Sequence, residues 1–308
     1  MSNSNLVCRR CFYAVAVIAA GASLALVPGC SSDHQTGGDS SEPSSSHAEH
    51  GKSSKTGQGD SAKTGQGDSA SQQHEGHGGS ADAMLMVETD PKQPVAGEPA
   101  SLRMMIHSAD GEMVRDFETI HEKKVHLIIV REGLDEFAHI HPEIAADGNL
   151  SADFTFPVGG TYRFYADHKS AGKPQATAVA KLKVSGAAPT APKLKANVPG
   201  QVSGDGLKAE VAIGDVKIGE PAPVSFRLTD SRDRPVEKLD PYLGARGHLV
   251  IISEDASRYV HAHPSHDEDG GAKVEFEAHF PEAGLYKGWG QFSYQGEIRT
   301  VPFVVKVE

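Results

Sequence analysis

The sequence predicts an all-β fold of two tandem antiparallel β-sandwiches, immunoglobulin-like or cupredoxin-like, after a disordered N-terminal tether. Three observations support this prediction: short apolar runs separated by turn residues, an internal repeat at an offset of 122 residues, and 33 glycines with 18 prolines among 308 residues. Runs of this kind are typical of strands in sandwiches. No stretch shows the periodicity of a long amphipathic helix.

The first residues are predicted to form an export signal over residues 1–29. Two arginines precede the apolar run 11–27, which is short for a membrane-spanning helix. The run ends in Leu26-Val27-Pro28-Gly29-Cys30, which resembles a bacterial lipobox. That resemblance implies cleavage before Cys30, lipidation of this cysteine and a lipid-anchored protein on the periplasmic or outer-membrane face. A plain secretory signal is the alternative.

Residues 30–81 are predicted to be a disordered linker. Ser, Gly, Asp, Gln and His dominate this stretch, and it contains almost nothing apolar to bury. The segment 55–62 is repeated residue for residue at 63–70. Its histidines can bind metal loosely, but a solvated spacer is the interpretation we favour.

The rest of the chain reads as one domain present twice. Residues 85–142 align without gaps with residues 207–264, and Gly97-Glu98-Pro99-Ala100 falls on Gly219-Glu220-Pro221-Ala222. We expect repeat 1 at residues 82–185, a linker rich in Ala, Pro and Lys at 186–200, and repeat 2 at residues 201–308. Each repeat is long enough to form its own core. The strands predicted for repeat 1 are 84–89, 100–108, 125–131, 136–141, 150–156, 161–167 and 176–184.

Three histidines of each repeat are predicted to converge. A hairpin symmetric about the turn 132–135 places His126 opposite His141, with His139 as a diagonal neighbour on the same face. Imidazoles at this spacing can share one metal ion. The same set recurs in repeat 2 as His248, His261 and His263.

The remaining histidines of the two repeats serve as a control. They have no histidine at the aligned position of the other repeat, and they are His107, His121, His168, His266 and His279. Duplication alone would not retain only the mutually facing set. The alternative interpretation is a hydrogen-bonded histidine cluster that stabilises the hairpin, with His-x-His-Pro ending the strand.

The donor set favours copper, with zinc as the alternative. Neutral imidazoles suit both ions, and copper stands highest in the divalent affinity order. Cysteines occur only at positions 8, 11 and 30, so no thiolate is available in the repeats. A secondary metal site is predicted from Met84, Met86, Met105, His107 and His168, because soft thioethers favour Cu(I). For the methionines, the filling of irregular gaps in the core is the alternative we favour.

Three segments of repeat 1 resemble a known family. The segments His126-Leu127-Ile128-Ile129-Val130, Phe137-Ala138-His139-Ile140-His141-Pro142 and Phe156-Pro157-Val158-Gly159-Gly160-Thr161-Tyr162-Arg163 are similar to exported YtkA-like domains. The resemblance covers both repeats. It implies an exported β-sandwich of the cell envelope with a role in copper handling.

These observations favour a metal-binding lipoprotein that sequesters a transition metal or delivers it to a transfer partner. A net charge of −11 argues against nucleic acid as a partner. We expect no enzyme. Glu143, close in sequence to His141, could act as a general base, but its counterpart in repeat 2 is Ser265, and no nucleophile or phosphate-binding motif is present. The alternative from another class is a metal-free surface module for protein–protein interaction. With ordinary imidazoles, metal affinity is expected to fall below about pH 6.5.

Overall fold

The computed structural model describes residues 83–264 and 271–308; Cys30, the predicted signal peptide and the predicted tether lie outside the described residues. Every regular element in the described ranges is a strand, and no helix there could cross a membrane. The strands are β1 (Ala83–Asp90), β2 (Pro99–Ser108), β3 (Phe117–Glu118), β4 (Val125–Arg131), β5 (Phe137–Ile140), β6 (Glu143–Ile144), β7 (Leu150–Thr155), β8 (Gly160–Ser170), β9 (Gln175–Val184), β10 (Gly200–Gly204), β11 (Leu207–Ile213), β12 (Pro221–Asp230), β13 (His248–Ser253), β14 (Tyr259–Pro264), β15 (Lys273–His279), β16 (Gly284–Tyr294) and β17 (Glu297–Val307). The all-β fold of two tandem sandwiches is confirmed.

Repeat 1 forms one curled sheet in the order β5-β4-β8-β9-β1-β2-β7-β6, with β3 paired to β8. All pairs are antiparallel except β1 with β9, which meet in parallel at Ala83 and Met84. The seven predicted strands are all present. The sequence did not predict β3 and β6 because two residues are too few to show a strand period.

Repeat 2 follows the order β10-β11-β12-β15-β14-β13-β16-β17. Its extra edge strand β10 begins at Gly200, the last residue of the predicted linker. Both repeats fix the turn before an 11-residue strand, β8 or β16, in the same way. Tyr162 Oη donates a hydrogen bond of 2.9 Å to the carbonyl of Val158, and Tyr286 Oη donates one of 2.9 Å to that of Glu282. This contact resembles the tyrosine corner of immunoglobulin-type sandwiches.

The two repeats pack against each other through strands that are buried on both faces. In β4, Val125, Leu127 and Ile129 enter the core of repeat 1, while Ile128 and Val130 point the other way into a third cluster. We call this third cluster the inter-repeat cluster, and its buried members are Ile128, Val130, Leu134, Tyr165, Val250, Ile252, Ala256, Tyr259 and Trp289. A strand covered on both sides needs apolar residues at every position, which explains the continuous apolar runs in β4 and β13.

Direct contacts between the repeats confirm this packing. The rings of Phe137 and Trp289 are stacked with centroids 4.5 Å apart, and Tyr165 Oη donates a hydrogen bond of 2.5 Å to the carbonyl of Ala256. Lys287 Nζ donates one of 2.7 Å to the carbonyl of Leu134. The strand that carries Trp289 therefore lies directly against the β4–β5 hairpin.

Candidate metal centre

The β4–β5 hairpin has the predicted register. Ile128 is paired with His139 and Leu127 with Ile140, so His126 and His141 meet at the next position along the ladder. Because alternate residues share a face, all three histidines lie on the side of the sheet that turns towards repeat 2. His126 is buried, while His139 and His141 are half-buried at the edge of the inter-repeat contact.

Three imidazole nitrogens of this hairpin converge. His126 Nδ1 lies 3.1 Å from His139 Nε2 and 3.3 Å from His141 Nε2. One ligand atom from each of the three residues lies within 4.8 Å of the other two. A tetrahedral ion with metal–nitrogen bonds of about 2.0–2.1 Å holds its ligand nitrogens roughly 3.3 Å apart. The spacing therefore fits a shared ion without rearrangement of the hairpin.

The hydrogen positions on two of the rings are set by carbonyl-type oxygens, which can only accept. His126 Nε2–H donates to the backbone carbonyl of Ile120 at 2.9 Å. His139 Nδ1–H donates to the side-chain oxygen of Gln291, in repeat 2, at 2.6 Å. In the neutral rings, the lone pairs therefore lie on His126 Nδ1 and His139 Nε2, the two atoms that are 3.1 Å apart. With these tautomers neither of the two nitrogens donates to the other, and each ring has its outer nitrogen hydrogen-bonded, as histidine ligands of metal sites do.

Burial favours the neutral form of two of the rings, those of His139 and His141. Removal from water lowers the pKa of His139 to about 3, partly offset by its hydrogen bond to Gln291. Burial, followed by the charge of the neighbouring His126, lowers the pKa of His141 to about 4. Neutral imidazole is the form that binds metal, so these two ligands are ready at neutral pH.

A buried carboxylate lies next to the cluster. Asp167 of β8 is paired with His126 of β4, and Gln175 Nε2 donates to both of its carboxylate oxygens at 3.0 and 2.9 Å. Its charge favours positive charge at His139. In repeat 2 the corresponding pair is His248 with Gln291. Asp167 and Gln291 therefore occupy equivalent positions in the two repeats, each opposite the first histidine of its set. Asp167 supplies a negative charge, and Gln291 accepts a hydrogen bond from His139.

His248 of repeat 2 adjoins this cluster. His248 Nε2–H donates to the carbonyl of Tyr242 at 3.0 Å, which matches the bond of His126 to Ile120 in repeat 1. The rings of His248 and His126 are stacked with centroids 6.1 Å apart. Burial is the main cause that lowers the pKa of His248, to about 3. His248 therefore lies beside the three-histidine cluster of repeat 1.

His261 and His263 lie on β14, and Val250 is opposite His261, as the sequence predicts. The side chains of both histidines lie outside the described part of the structure.

His121 is a site residue that sequence reasoning missed. Its ring centroid lies 5.3 Å from that of His248 and 6.3 Å from that of His126. No signal in the sequence could identify it, because the aligned residue is Leu243.

The predicted secondary site is only partly brought together. His168 is 1% exposed, packs edge-on against Phe117 and donates from Nδ1 to the carbonyl of Ala166. It shares the core face with Phe164 and Ala166, so its inclusion with the methionines was wrong. Met84, Met86, Met105 and His107 share the outer face of β1 and β2.

The fold and the cluster define a tandem β-sandwich protein with a three-histidine site where the repeats meet. The chain belongs to the family described as "Domain of unknown function (DUF8832)", which matches residues 80–186 and again residues 201–308. The YtkA-like resemblance stays a prediction. No curated protein matches the sequence.

Several solved structures of bacterial proteins are similar to the chain. The Escherichia coli adhesin FdeC is 15% identical over 73% of this chain and 64% of that chain, with a TM-score of 0.24. The Yersinia pseudotuberculosis adhesin InvE is 11% identical over 72% and 59%, with a TM-score of 0.22. Domains 4 and 5 of the S-layer protein SbsC are 14% identical over 72% and 96%, with a TM-score of 0.21. The chain spans less than two thirds of the FdeC and InvE chains, and such TM-scores support no conclusion about binding.

Proposed function

We propose that the protein binds a transition metal ion through His126, His139 and His141 and sequesters or delivers it in the cell envelope. The observation that carries the proposal is the convergence of three imidazole nitrogens, two of them with their hydrogens held on the far side of the ring by Ile120 and Gln291. Such outer-shell contacts are what orient histidine ligands in metal sites. Copper is our first choice and zinc the second, on the donor chemistry.

Delivery rather than catalysis suits three imidazole ligands, two of which lie at a half-buried edge. Three histidines leave a coordination position open, and His141 is accessible to a partner at that edge. A metal-transfer partner could then take the ion by ligand exchange. We further propose that lipidated Cys30 anchors the chain to the membrane. The YtkA-like resemblance agrees with this role, and no catalytic activity is part of the proposal.

One contact favours a second candidate function. His139 bonds to Gln291 across the two repeats, so the same histidines also join the sandwiches. A metal-free module that presents a fixed pair of sandwiches to another protein would need this contact as well. Metal retention separates the two functions, because only the first requires it.

Gln291 offers a sharp test of the metal-binding proposal. Gln291→Leu removes the acceptor of the His139 Nδ1 hydrogen while keeping a similar volume, and it should weaken Cu(II) and Zn(II) binding about 10–100-fold. Gln291→Glu keeps an acceptor oxygen and should bind at least as tightly as the wild type. Competition titration of the full chain against a chelator measures both. Equal affinities for the leucine variant and the wild type would contradict the proposal.

The pH dependence differs from that of free imidazoles. Because the pKa values of His139 and His141 lie near 3 and 4, protons compete at these ligands near pH 4 rather than near pH 6.5. We therefore expect metal affinity at pH 5.5 to stay within about tenfold of its value at pH 7.5. Titration at both values checks this. A loss of more than about a hundredfold would show that the ligands titrate as exposed histidines.

The same pKa values predict how stability varies with pH. Below pH 6.5 the unfolded chain binds protons on these histidines while the folded chain does not. The free energy of unfolding of the metal-free protein should therefore fall as the pH drops from 6.5 towards 4. Urea denaturation at pH 7.5, 6 and 5 measures the slope. It should become shallower in His139→Ala, where His141 and His248 still contribute, and stay unchanged in His279→Ala, and a wild-type slope of zero would contradict the prediction.

A further inference from the structure

We propose a second metal site, separate from the three-histidine cluster: a Cu(I) site on the outer face of β1 and β2, formed by Met84, Met86, Met105 and His107. Met84 is directly opposite His107 in the β1–β2 ladder, and Met86 is directly opposite Met105. Leu85 and Ile106, between these pairs, are buried in the core. The four side chains therefore share the opposite, outward face.

The spacing on this face suits a shared ion. Opposed residues have Cβ atoms ~5 Å apart, and neighbours two positions along a strand are ~7 Å apart. Methionine has three rotatable side-chain bonds, so thioethers at the corners of such a rectangle can turn towards its centre. Met113 flanks the other side of His107 through an antiparallel bridge. His107 thus lies between Met84 and Met113. The pair of Met86 and Met105 lies two residues further along the same two strands.

The fold does not need apolar residues at these positions. Met84 is 63% exposed and Met86 is 43% exposed, whereas the adjacent Met104 is fully buried and fills the core. At the aligned positions of repeat 2, Lys208 forms an ion pair with Asp233 and Arg227 forms one with Glu210. The filling of core gaps therefore explains Met104 but not the outward methionines.

The imidazole of His107 supplies an independent observation. Its Nδ1 atom is buried and has no hydrogen-bond partner. Buried polar atoms are normally satisfied, so an unpartnered one needs an explanation. A soft monovalent copper ion would satisfy this nitrogen, and thioethers prefer Cu(I) to the harder divalent ions.

The test is an anaerobic Cu(I) titration of the full chain against a Cu(I) chelator. Met84→Leu/Met105→Leu conserves volume and should weaken Cu(I) binding at least about tenfold, with loss of one Cu(I) per chain. Zn(II) affinity should stay unchanged in that variant, and the Cu–S scattering in the X-ray absorption spectrum should fall below that of the wild type, because Met86 is the one thioether of the proposed set that remains. Met104→Leu is the matched control and should retain all three properties.

The His139→Ala background separates the two sites. In that background the chain should keep its Cu–S signal, and this signal should fall on addition of the methionine changes. If the double methionine variant binds Cu(I) as tightly as the wild type, or if wild-type Cu(I) shows no sulfur ligand, the second site is overturned. Loss of Zn(II) binding at the histidine cluster concerns the proposed function and would not decide whether the methionine site exists.

Discussion

Replacing His139 by alanine is expected to lower the affinity of the chain for Cu(II) and Zn(II) by more than about 100-fold. The change removes one of three convergent ligands, whereas loss of an outer-shell partner alone costs about 10–100-fold. It also removes the partner of Gln291 and so disturbs the contact between the repeats. Competition titration of the full chain against a chelator of known affinity measures the effect.

His279→Ala is the control for this variant. His279 is a half-buried histidine of β15, and its Nε2 atom lies 3.5 Å from a carboxylate oxygen of Glu277. It has no histidine counterpart in repeat 1. Its loss should leave affinity unchanged, which distinguishes the cluster from adventitious binding by other histidines. His141→Ala gives a second ligand deletion at the half-buried edge, should His139→Ala fold poorly. Wild-type affinity in both folded ligand variants would contradict the proposed site.

Replacing Trp289 by alanine is expected to lower the free energy of unfolding by about 3–5 kcal/mol, the usual cost of deleting a large buried aromatic side chain. Trp289 is 4% exposed, stacks on Phe137 of repeat 1 and lies two residues from Gln291 on the same strand. Its loss leaves a cavity between the repeats next to the hairpin that holds the histidines. We therefore expect weaker metal binding as well as lower stability.

Urea denaturation followed by circular dichroism measures this change in the metal-free protein. Ile298→Ala is the matched control, because Ile298 is 41% exposed on β17 and should change stability by less than about 1 kcal/mol. A loss below about 1 kcal/mol in Trp289→Ala would show that the inter-repeat cluster contributes little to folding.

The histidine geometry of repeat 1 was predictable because it depends on local sequence alone. A short turn fixes the register of the hairpin, and the pairing of Ile128 with His139 follows the predicted symmetry. The face of the sheet on which His168 lies could also be predicted from the alternation of residues along the strand. It continues the alternation of Phe164 and Ala166 towards the core, which excludes it from the methionine face.

The contact between the repeats was not predicted, although one signal for it exists. The run His126-Leu127-Ile128-Ile129-Val130 is apolar at every position after the histidine, and β13 repeats it, as expected for strands buried on both faces. The partners of the histidines carry no such signal. Ile120 acts through its backbone carbonyl, and Gln291 belongs to the other repeat, 152 residues from His139.

The most direct test of the proposed centre is a crystal structure of the metal-loaded chain with anomalous data collected at the absorption edge of the bound metal. We predict an anomalous peak bonded to His126 Nδ1, His139 Nε2 and His141 Nε2 at about 2.0–2.1 Å. His139 Nδ1 should remain hydrogen-bonded to Gln291. A folded, metal-exposed protein with no peak at these three nitrogens would contradict the proposal and leave the cluster as a contact that joins the two repeats.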